Sequence, residues 1–262
     1  MAAIELSLTP LYSDANLVYY WRLEADSVAS VGSNSGTDTA ITYSAGNGKF
    51  NNGAGFASAT SSKIAFPTLA TGTEGSILFW FKTSTATGQT LFQQSKSSVD
   101  TRLSIAMSNI ANAGEITFSF NVTGTSYIVA RTDIHTYDDG NFHHLAVTVD
   151  SDGNKIYVDG SLADVTYLAG DASTQKWFDD LVDANVMDLG IARYSNLSIS
   201  KYNGAIDDVA IFSRALTADE ISYLYTGNWP LTVKSVNGLA IASIKSVNGL
   251  AIASVKKING LF

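Results

Sequence analysis

The sequence predicts an all-β protein, a two-sheet antiparallel jelly-roll sandwich over residues 16–228 with one short C-terminal helix. Apolar and polar residues alternate in segments of six to eight residues, and turns recur every eight to twelve residues, which is typical of sandwiches. Only five of the 24 acidic residues are Glu, so Asp, a turn residue, dominates over a helix former. The 21 glycines supply further turns.

The predicted strands are found by period-2 alternation or by short apolar runs. Residues 17–23 and 76–82 are mostly apolar, and residues 115–122 alternate strictly. Residues 143–150 and 155–160 flank a Ser-Asp-Gly-Asn turn, and Asp-Gly between two alternating segments predicts a hairpin because Gly accepts a positive φ.

One helix is predicted, over residues 216–225. Thr217 can cap its N-terminus, and Asp219 and Glu220 suit the positive end of the helix dipole. Gly227 supplies the C-terminal stop.

The two ends of the chain differ from the sandwich. Residues 1–15 form an N-terminal arm, and residues 229–262 form a tail in which residues 233–243 recur as 244–254 and, truncated, as 255–262. Asn-Gly occupies a fixed place in each eleven-residue copy and favours turns between very short strands. Three copies cannot bury their apolar residues alone, so we expect the tail to oligomerise or to bind virion proteins, with packing on the sandwich as the alternative.

The composition excludes several classes of protein. A net charge of −8 argues against nucleic-acid binding, which needs clustered Lys and Arg. There is no cysteine, and no apolar run of 18 residues that would predict a membrane span. Residues 1–10 lack the pattern of a secretory signal, so a protein acting outside the cell is expected to leave it by lysis or by a signal-less route.

Five ordered segments resemble the laminin-G-like jelly-roll domains of the concanavalin A-like lectin/glucanase superfamily. They are the opening strand, the Gly-Lys-Phe-Asn-Asn-Gly element, a Trp-containing strand, the His-His hairpin and the closing Ile-Asp-Asp segment: residues 17–23, 48–56, 76–82, 141–160 and 204–217. The resemblance implies the fold and says little about a ligand. The tail resembles short repeat tails of phage structural proteins.

The carboxylates argue against catalysis. Glucanases of this fold place two Glu and an Asp alternately on one strand, and the sequence contains no such Glu-x-Asp-x-Glu segment. The adjacent pairs Asp179-Asp180 and Asp207-Asp208 would face opposite sides of a strand. We therefore predict no enzymatic activity, and we interpret His143-His144 as structural.

Calcium is the cofactor that the resemblance implies, because relatives bind Ca²⁺ through Asp side chains and carbonyl oxygens. Asp207, in the closing segment, and Glu24, after the first strand, are the candidate metal ligands. The alternative is that Asp207 caps backbone amides between the sheets.

Sugar binding needs an exposed aromatic ring beside polar groups. Trp21 and Trp80 lie in apolar strands and are assigned to the core, whereas Trp177 lies in an insertion over residues 170–180, where binding residues are common. The candidate glycan contacts are Trp177, Asp179, Tyr194 and Tyr202. The alternative is that Trp177 closes the sandwich edge or a subunit interface.

The sequence thus predicts a non-enzymatic virion protein, a phage fibre, spike or decoration protein that displays a glycan-binding sandwich in several copies. One alternative is a purely structural assembly protein whose sandwich binds no sugar. Another is a bacterial adhesin at the cell surface or in the extracellular space.

Overall fold

The protein is an antiparallel β-sandwich, as the alternation predicts. The computed structural model describes residues 3–228, apart from 70, 87, 97–99, 109–112, 135, 182–185 and 195–196, together with four short strands between 235 and 251. The strands are β1 (Leu17–Trp21), β2 (Thr37–Thr39), β3 (Thr42–Ser44), β4 (Gly53–Phe56), β5 (Lys63–Phe66), β6 (Gly75–Lys82), β7 (Gln89–Lys96), β8 (Thr101–Ser108), β9 (Glu115–Val122), β10 (Thr125–Thr132), β11 (Phe142–Asp150), β12 (Gly153–Val158), β13 (Ser161–Leu162), β14 (Val165–Ala169), β15 (Val186–Leu189), β16 (Ile191–Tyr194), β17 (Leu197–Lys201), β18 (Gly204–Phe212), β19 (Ser235–Val236), β20 (Leu239–Ala240), β21 (Ser246–Val247) and β22 (Leu250–Ala251).

Two eight-stranded sheets form the sandwich. Sheet A has the order β13-β12-β11-β6-β18-β4-β3. One edge of β18 pairs with β6. Its other edge pairs with β4 in the first half of the strand and with β1 in the second half. Sheet B has the order β14-β10-β9-β8-β7-β15-β5-β2. Most neighbours are distant in sequence, so the topology is the jelly roll that was predicted.

The core lies between the sheets. Sheet A contributes alternate residues of its central strands, among them Ile77, Phe79 and Phe81, and sheet B contributes Phe118 and Phe120. In β9 the inward residues Ile116, Phe118 and Phe120 are each 0% exposed. The strict alternation of residues 115–122 therefore separates a buried face from an outward one.

The helix α1 (Ala218–Thr226) begins two residues later than predicted and has the predicted ends. Thr217 Oγ1 accepts the N–H of Glu220 at 3.3 Å, and Glu220 Oε2 accepts the N–H of Thr217 at 2.8 Å, which is a capping box. Gly227 ends the helix at φ 70°. The described residues also include short 3-10 helices at Leu6–Leu8, Pro10–Ser13, Ser58–Thr60 and Phe178–Asp180. Within the described ranges, no helix has the length and apolar character needed to cross a membrane.

The chain divides into two compact units, Met1–Asn228 and Trp229–Phe262. In the second unit, β19 pairs with β20 and β21 with β22 in the same register, Ser with Ala and Val with Leu. Each of the two complete repeats therefore forms one short hairpin.

Candidate functional site

The outward face of sheet A is covered. Leu78, Trp80 and Ala146 point away from the core between the sheets, yet each is buried. Tyr225 of α1 stacks on Trp80, with ring centroids 5.8 Å apart, and α1 buries Ile221 and Leu224. Part of this face is therefore a second apolar layer.

Trp177 is not a surface ring. Its side chain is 0% exposed, packs edge-on against Phe178 and donates from Nε1 to Thr71 Oγ1 at 3.2 Å. The backbone of Gly75 packs directly against the indole of Trp177, since a Cβ atom at residue 75 would lie only 2.6 Å from Trp177 Nε1. The expectation of an exposed stacking platform is wrong, because the ring fills the end of the core, which was the alternative interpretation.

The other three candidate glycan contacts do not gather around Trp177. Tyr202 is 0% exposed, and its hydroxyl lies 2.8 and 3.0 Å from the carbonyl oxygens of Lys82 and Ala205, so it too belongs to the core. Asp179 is exposed, and its Oδ1 accepts the N–H of Gly72 at 3.1 Å. Tyr194 ends β16, and its side chain lies outside the described residues.

The two candidate calcium ligands, Asp207 and Glu24, both accept hydrogen bonds from the backbone of the loop over residues 49–52. Asp207 Oδ2 accepts the N–H groups of Lys49 and Phe50 at 2.8 and 3.0 Å, and Glu24 Oε2 accepts the N–H of Asn52 at 3.0 Å. Burial raises the pKa of Asp207 to about 8, although the two N–H donors oppose this. Its position corresponds to the amide-capping alternative.

A calcium site has little support in this geometry. In the part of the chain that the structure describes, no three His, Cys, Asp or Glu side chains are grouped so as to hold a metal ion. Binding through the amide-bonded oxygens of Asp207 and Glu24 would compete with these N–H groups. Calcium binding stays a prediction.

The two neighbouring histidines have different surroundings. His144 packs on Trp80, with centroids 5.0 Å apart, and burial lowers its pKa to about 4. His143 lies between two carboxylates, with Nδ1 2.8 Å from Asp159 and Nε2 3.2 Å from Asp139. The pKa of His143 is raised because these carboxylates outweigh its partial burial.

The outward face of sheet B is polar, and we call it the polar face. The register places one polar row across four neighbouring strands and a second row beside it, which are Asp188, Gln93, Ser104 and Ser119, then Ser95, Arg102, Asn121 and Ser126. Most of these side chains are themselves buried: Asp188, Gln93, Ser95, Ser104 and Asn121 are 1–6% exposed. Motif reasoning missed these residues, although the alternation of residues 115–122 predicts Thr117, Ser119 and Asn121 on one face.

Two polar atoms on this face have no hydrogen-bond partner among the described residues. Thr117 is 5% exposed and Asn121 is 4% exposed. Within the described residues, neither Thr117 Oγ1 nor Asn121 Oδ1 has a hydrogen-bond partner. Leaving such atoms unsatisfied costs about 1–3 kcal/mol each, so each atom marks a hydrogen-bonding position that the described residues do not fill.

Charged side chains surround these two atoms. Arg131 pairs with Glu115 at 3.6 Å, Arg102 pairs with Asp100, and Asn121 Nδ2 donates to Asp100 Oδ2 at 3.2 Å. Further along, Asp188 lies 3.4 Å from Lys63 Nζ, and burial raises its pKa to about 7. The face thus offers amide, hydroxyl, guanidinium and carboxyl groups side by side.

Several solved structures share this fold. Domain 4 of AbnA, a GH43 extracellular arabinanase from Geobacillus stearothermophilus, in complex with arabinotriose, is 22% identical, with a TM-score of 0.59 over 80% of this chain and 98% of that one. The CBM40 of the Ruminococcus gnavus IT-sialidase is 16% identical, with a TM-score of 0.51 over 72% and 96%.

A third similar structure is botulinum neurotoxin type C, whose cell entry depends on interaction with two ganglioside molecules. It is 15% identical, with a TM-score of 0.58 over 80% of this chain and 50% of that one. No curated protein matches the chain significantly. The family model of the concanavalin A-like lectin/glucanases superfamily matches residues 52–222. The chain is a member of that superfamily.

Proposed function

We propose that this protein is a non-enzymatic carbohydrate-binding protein and that the polar face of sheet B is its glycan site. The observation that carries the proposal is the pair of unpartnered atoms, Thr117 Oγ1 and Asn121 Oδ1, on an outward face. Sugar hydroxyls both donate and accept hydrogen bonds, so they match neighbouring hydroxyl, amide and charged groups.

The comparisons support the same class of ligand. The arabinanase domain was solved with arabinotriose, and the sialidase domain is a CBM40. At identities of 22% and 16%, the similarity supports the fold alone. Which glycan is bound depends on the side chains of this chain. The absence of the glucanase Glu-x-Asp-x-Glu segment supports a binding role without hydrolysis.

A glycan array tests the proposal, with affinities then measured by calorimetry on the ligands found. Asn121→Ala and Thr117→Val should each weaken binding about tenfold, the effect of one lost hydrogen bond in a buried site. Thr39→Val is the matched control, because Thr39 is an exposed threonine on β2 at the far edge of the same sheet. Unchanged binding in both test variants contradicts the polar face as the site, and hydrolysis of any glycan contradicts the non-enzymatic assignment.

We further propose that the protein is displayed on a virion, as a fibre, spike or decoration protein, in several copies joined through residues 229–262. The charged residues of this segment are four lysines, so the net charge of −8 for the whole chain corresponds to −12 for residues 1–228. Because lysine recurs at the same place in each repeat, neighbouring tails repel unless acidic surfaces of other copies or virion proteins lie between them.

Light scattering on the full chain and on a truncation after Gly227 tests the assembly role. We expect an oligomer from the full chain and a folded monomer from the truncation. A monomeric full chain contradicts it. An oligomer that binds no glycan on the array favours the alternative of a purely structural assembly protein, and bacterial surface genes beside the coding gene favour the adhesin.

A further inference from the structure

A cavity of about 320 Å³ lies on the other side of the sandwich, where sheet A faces the end of α1. It is lined by Ala3, Lys49, Tyr225, Thr226 and Asn228. Small-molecule sites in proteins begin near this volume. The cavity is larger than a bare inorganic ion requires and can hold a molecule of monosaccharide size.

Lys49 is fixed at the cavity wall. Its backbone N–H is held by Asp207 Oδ2 at 2.8 Å, and its ammonium group lies 4.2 Å over the ring of Trp80. Tyr225, which lines the cavity, stacks on the same ring with an interplanar angle of 23°. A cation and an aromatic ring therefore stand side by side, both positioned by the central strands of sheet A.

In the part of the chain that the structure describes, the Lys49 ammonium has no acidic ion-pair partner. Among the described residues it forms no ion pair, whereas Lys176 pairs with Asp180 at 2.7 Å and Arg214 with Glu220 at 2.7 Å. Burial lowers the pKa of Lys49, and Asp159 partly offsets this. Asp159 itself is bonded by His143 Nδ1 at 2.8 Å and by the N–H of His144 at 3.0 Å.

We propose that this cavity is a second ligand site, which binds a sugar acid with its carboxylate on Lys49 and its ring against Tyr225. One ammonium group balances one negative charge, and the carboxylate of Asp159 nearby disfavours a ligand of higher charge. A hydroxyl-bearing ring uses the cavity volume and the Tyr225 hydroxyl, which a bare anion would leave empty. This site goes beyond the proposed function, since it lies on the opposite side of the sandwich from the polar face.

The test is a titration of the full ¹⁵N-labelled chain with glucuronate, followed by amide chemical shifts. We expect saturable shifts at Lys49 and around Tyr225, and binding about tenfold weaker for glucose, which lacks the carboxylate. Lys49→Gln should weaken glucuronate binding by a similar factor, and Lys49→Arg should restore most of it. Lys155→Gln, a lysine on β12 of the same sheet, is the matched control and should change nothing.

Three results overturn this proposal: equal binding of glucose and glucuronate, unchanged binding in Lys49→Gln, or inorganic phosphate binding as tightly as glucuronate. The two proposed sites fail independently. Asn121→Ala should leave glucuronate binding intact, and Lys49→Gln should leave binding at the polar face intact.

Discussion

The outward faces of the two sheets differ although the same alternation produces both. On sheet A, β6 buries seven of its eight residues, so both of its faces are covered. On sheet B, the inward residues of β9 are aromatic or aliphatic and the outward ones are Glu, Thr, Ser and Asn. The two faces differ in chemistry rather than in burial, since β7 of sheet B also buries seven of its eight residues. The alternation fixes which residues face outward, and the chemistry of those residues decides what the face can bind.

The segments beside the outward face of sheet A come from both ends of the sandwich, the N-terminal segment and α1. The N–H of Ile4 donates to the carbonyl oxygen of Leu224 at 3.2 Å, which joins the N-terminal segment to α1. Arg214 reinforces the join by pairing with Asp14 at 2.5 Å and with Glu220 at 2.7 Å. The two terminal segments of the sandwich are therefore joined to each other beside sheet A.

The largest predicted effect comes from removing a ring on the covered face. Trp80→Ala should lower the free energy of unfolding by about 3–5 kcal/mol, because it leaves a cavity between α1 and sheet A. Asn121→Ala on the polar face should cost about 1.5 kcal/mol, since it loses one hydrogen bond, from Nδ2 to the Asp100 carboxylate. Urea unfolding of both variants measures the difference, and equal losses would contradict the division between the faces.

Trp177→Ala should behave like Trp80→Ala. Its ring is wholly buried, so we expect a loss of about 3–5 kcal/mol in stability. Glycan binding by the fraction that stays folded should be unchanged. A stable Trp177→Ala variant that selectively loses glycan binding would return this residue to the list of contacts.

Each face also holds a buried carboxylic acid. Burial raises the pKa of Asp207 to about 8 and that of Asp188 to about 7, both above the value of about 3.9 in an unfolded chain. The folded state therefore keeps these protons longer than the unfolded state. The stability that they contribute is complete below about pH 4 and is lost as the pH rises through the folded value.

Replacing each acid by its amide should flatten this dependence. Asp207→Asn keeps one oxygen that can accept both N–H groups. Its free energy of unfolding relative to the wild type should increase with pH up to about pH 8. For Asp188→Asn the increase should stop near pH 7. Each group contributes at most about 1.4 kcal/mol per pH unit in its window. Unfolding curves between pH 4 and 9 measure both. The contribution of His143 cancels in these differences, and parallel curves for wild type and variants would contradict the assignment.

The smallest effect is expected at the helix cap. Thr217→Ala removes the hydroxyl that accepts the N–H of Glu220 and should destabilise the protein by about 1 kcal/mol. Thr217→Ser should restore most of this. Because α1 covers only sheet A, glycan binding at the polar face should not change, which calorimetry can check.

Local sequence patterns predicted the sandwich well. The prediction for residues 115–122 coincides with β9 (Glu115–Val122), and Thr217 and Gly227 bound α1 as expected. These features depend on alternation, turn chemistry and capping, which neighbouring residues decide. The predicted strand over residues 17–23 ends earlier, at Trp21, because Leu23 turns to φ 57° before Glu24 reaches the loop at Asn52.

The site could not be predicted in the same way. The insertion around Trp177 has loop composition, but the ring fills a space between strands that are distant in sequence. Asp207 has a calcium ligand's chemistry, yet the loop at Lys49 supplies two N–H groups from 157 and 158 residues away. The polar face itself is formed by the register of five strands, which the alternation within one strand does not reveal.

The hydrogen bond between Ile4 and Leu224 fixes where the two ends of the sandwich lie. Both ends of the sandwich emerge on the side of sheet A, and the polar face lies on the other side. A partner that binds the sandwich beside either end is therefore expected to contact sheet A, and the residues around Asn121 lie on the side away from that partner.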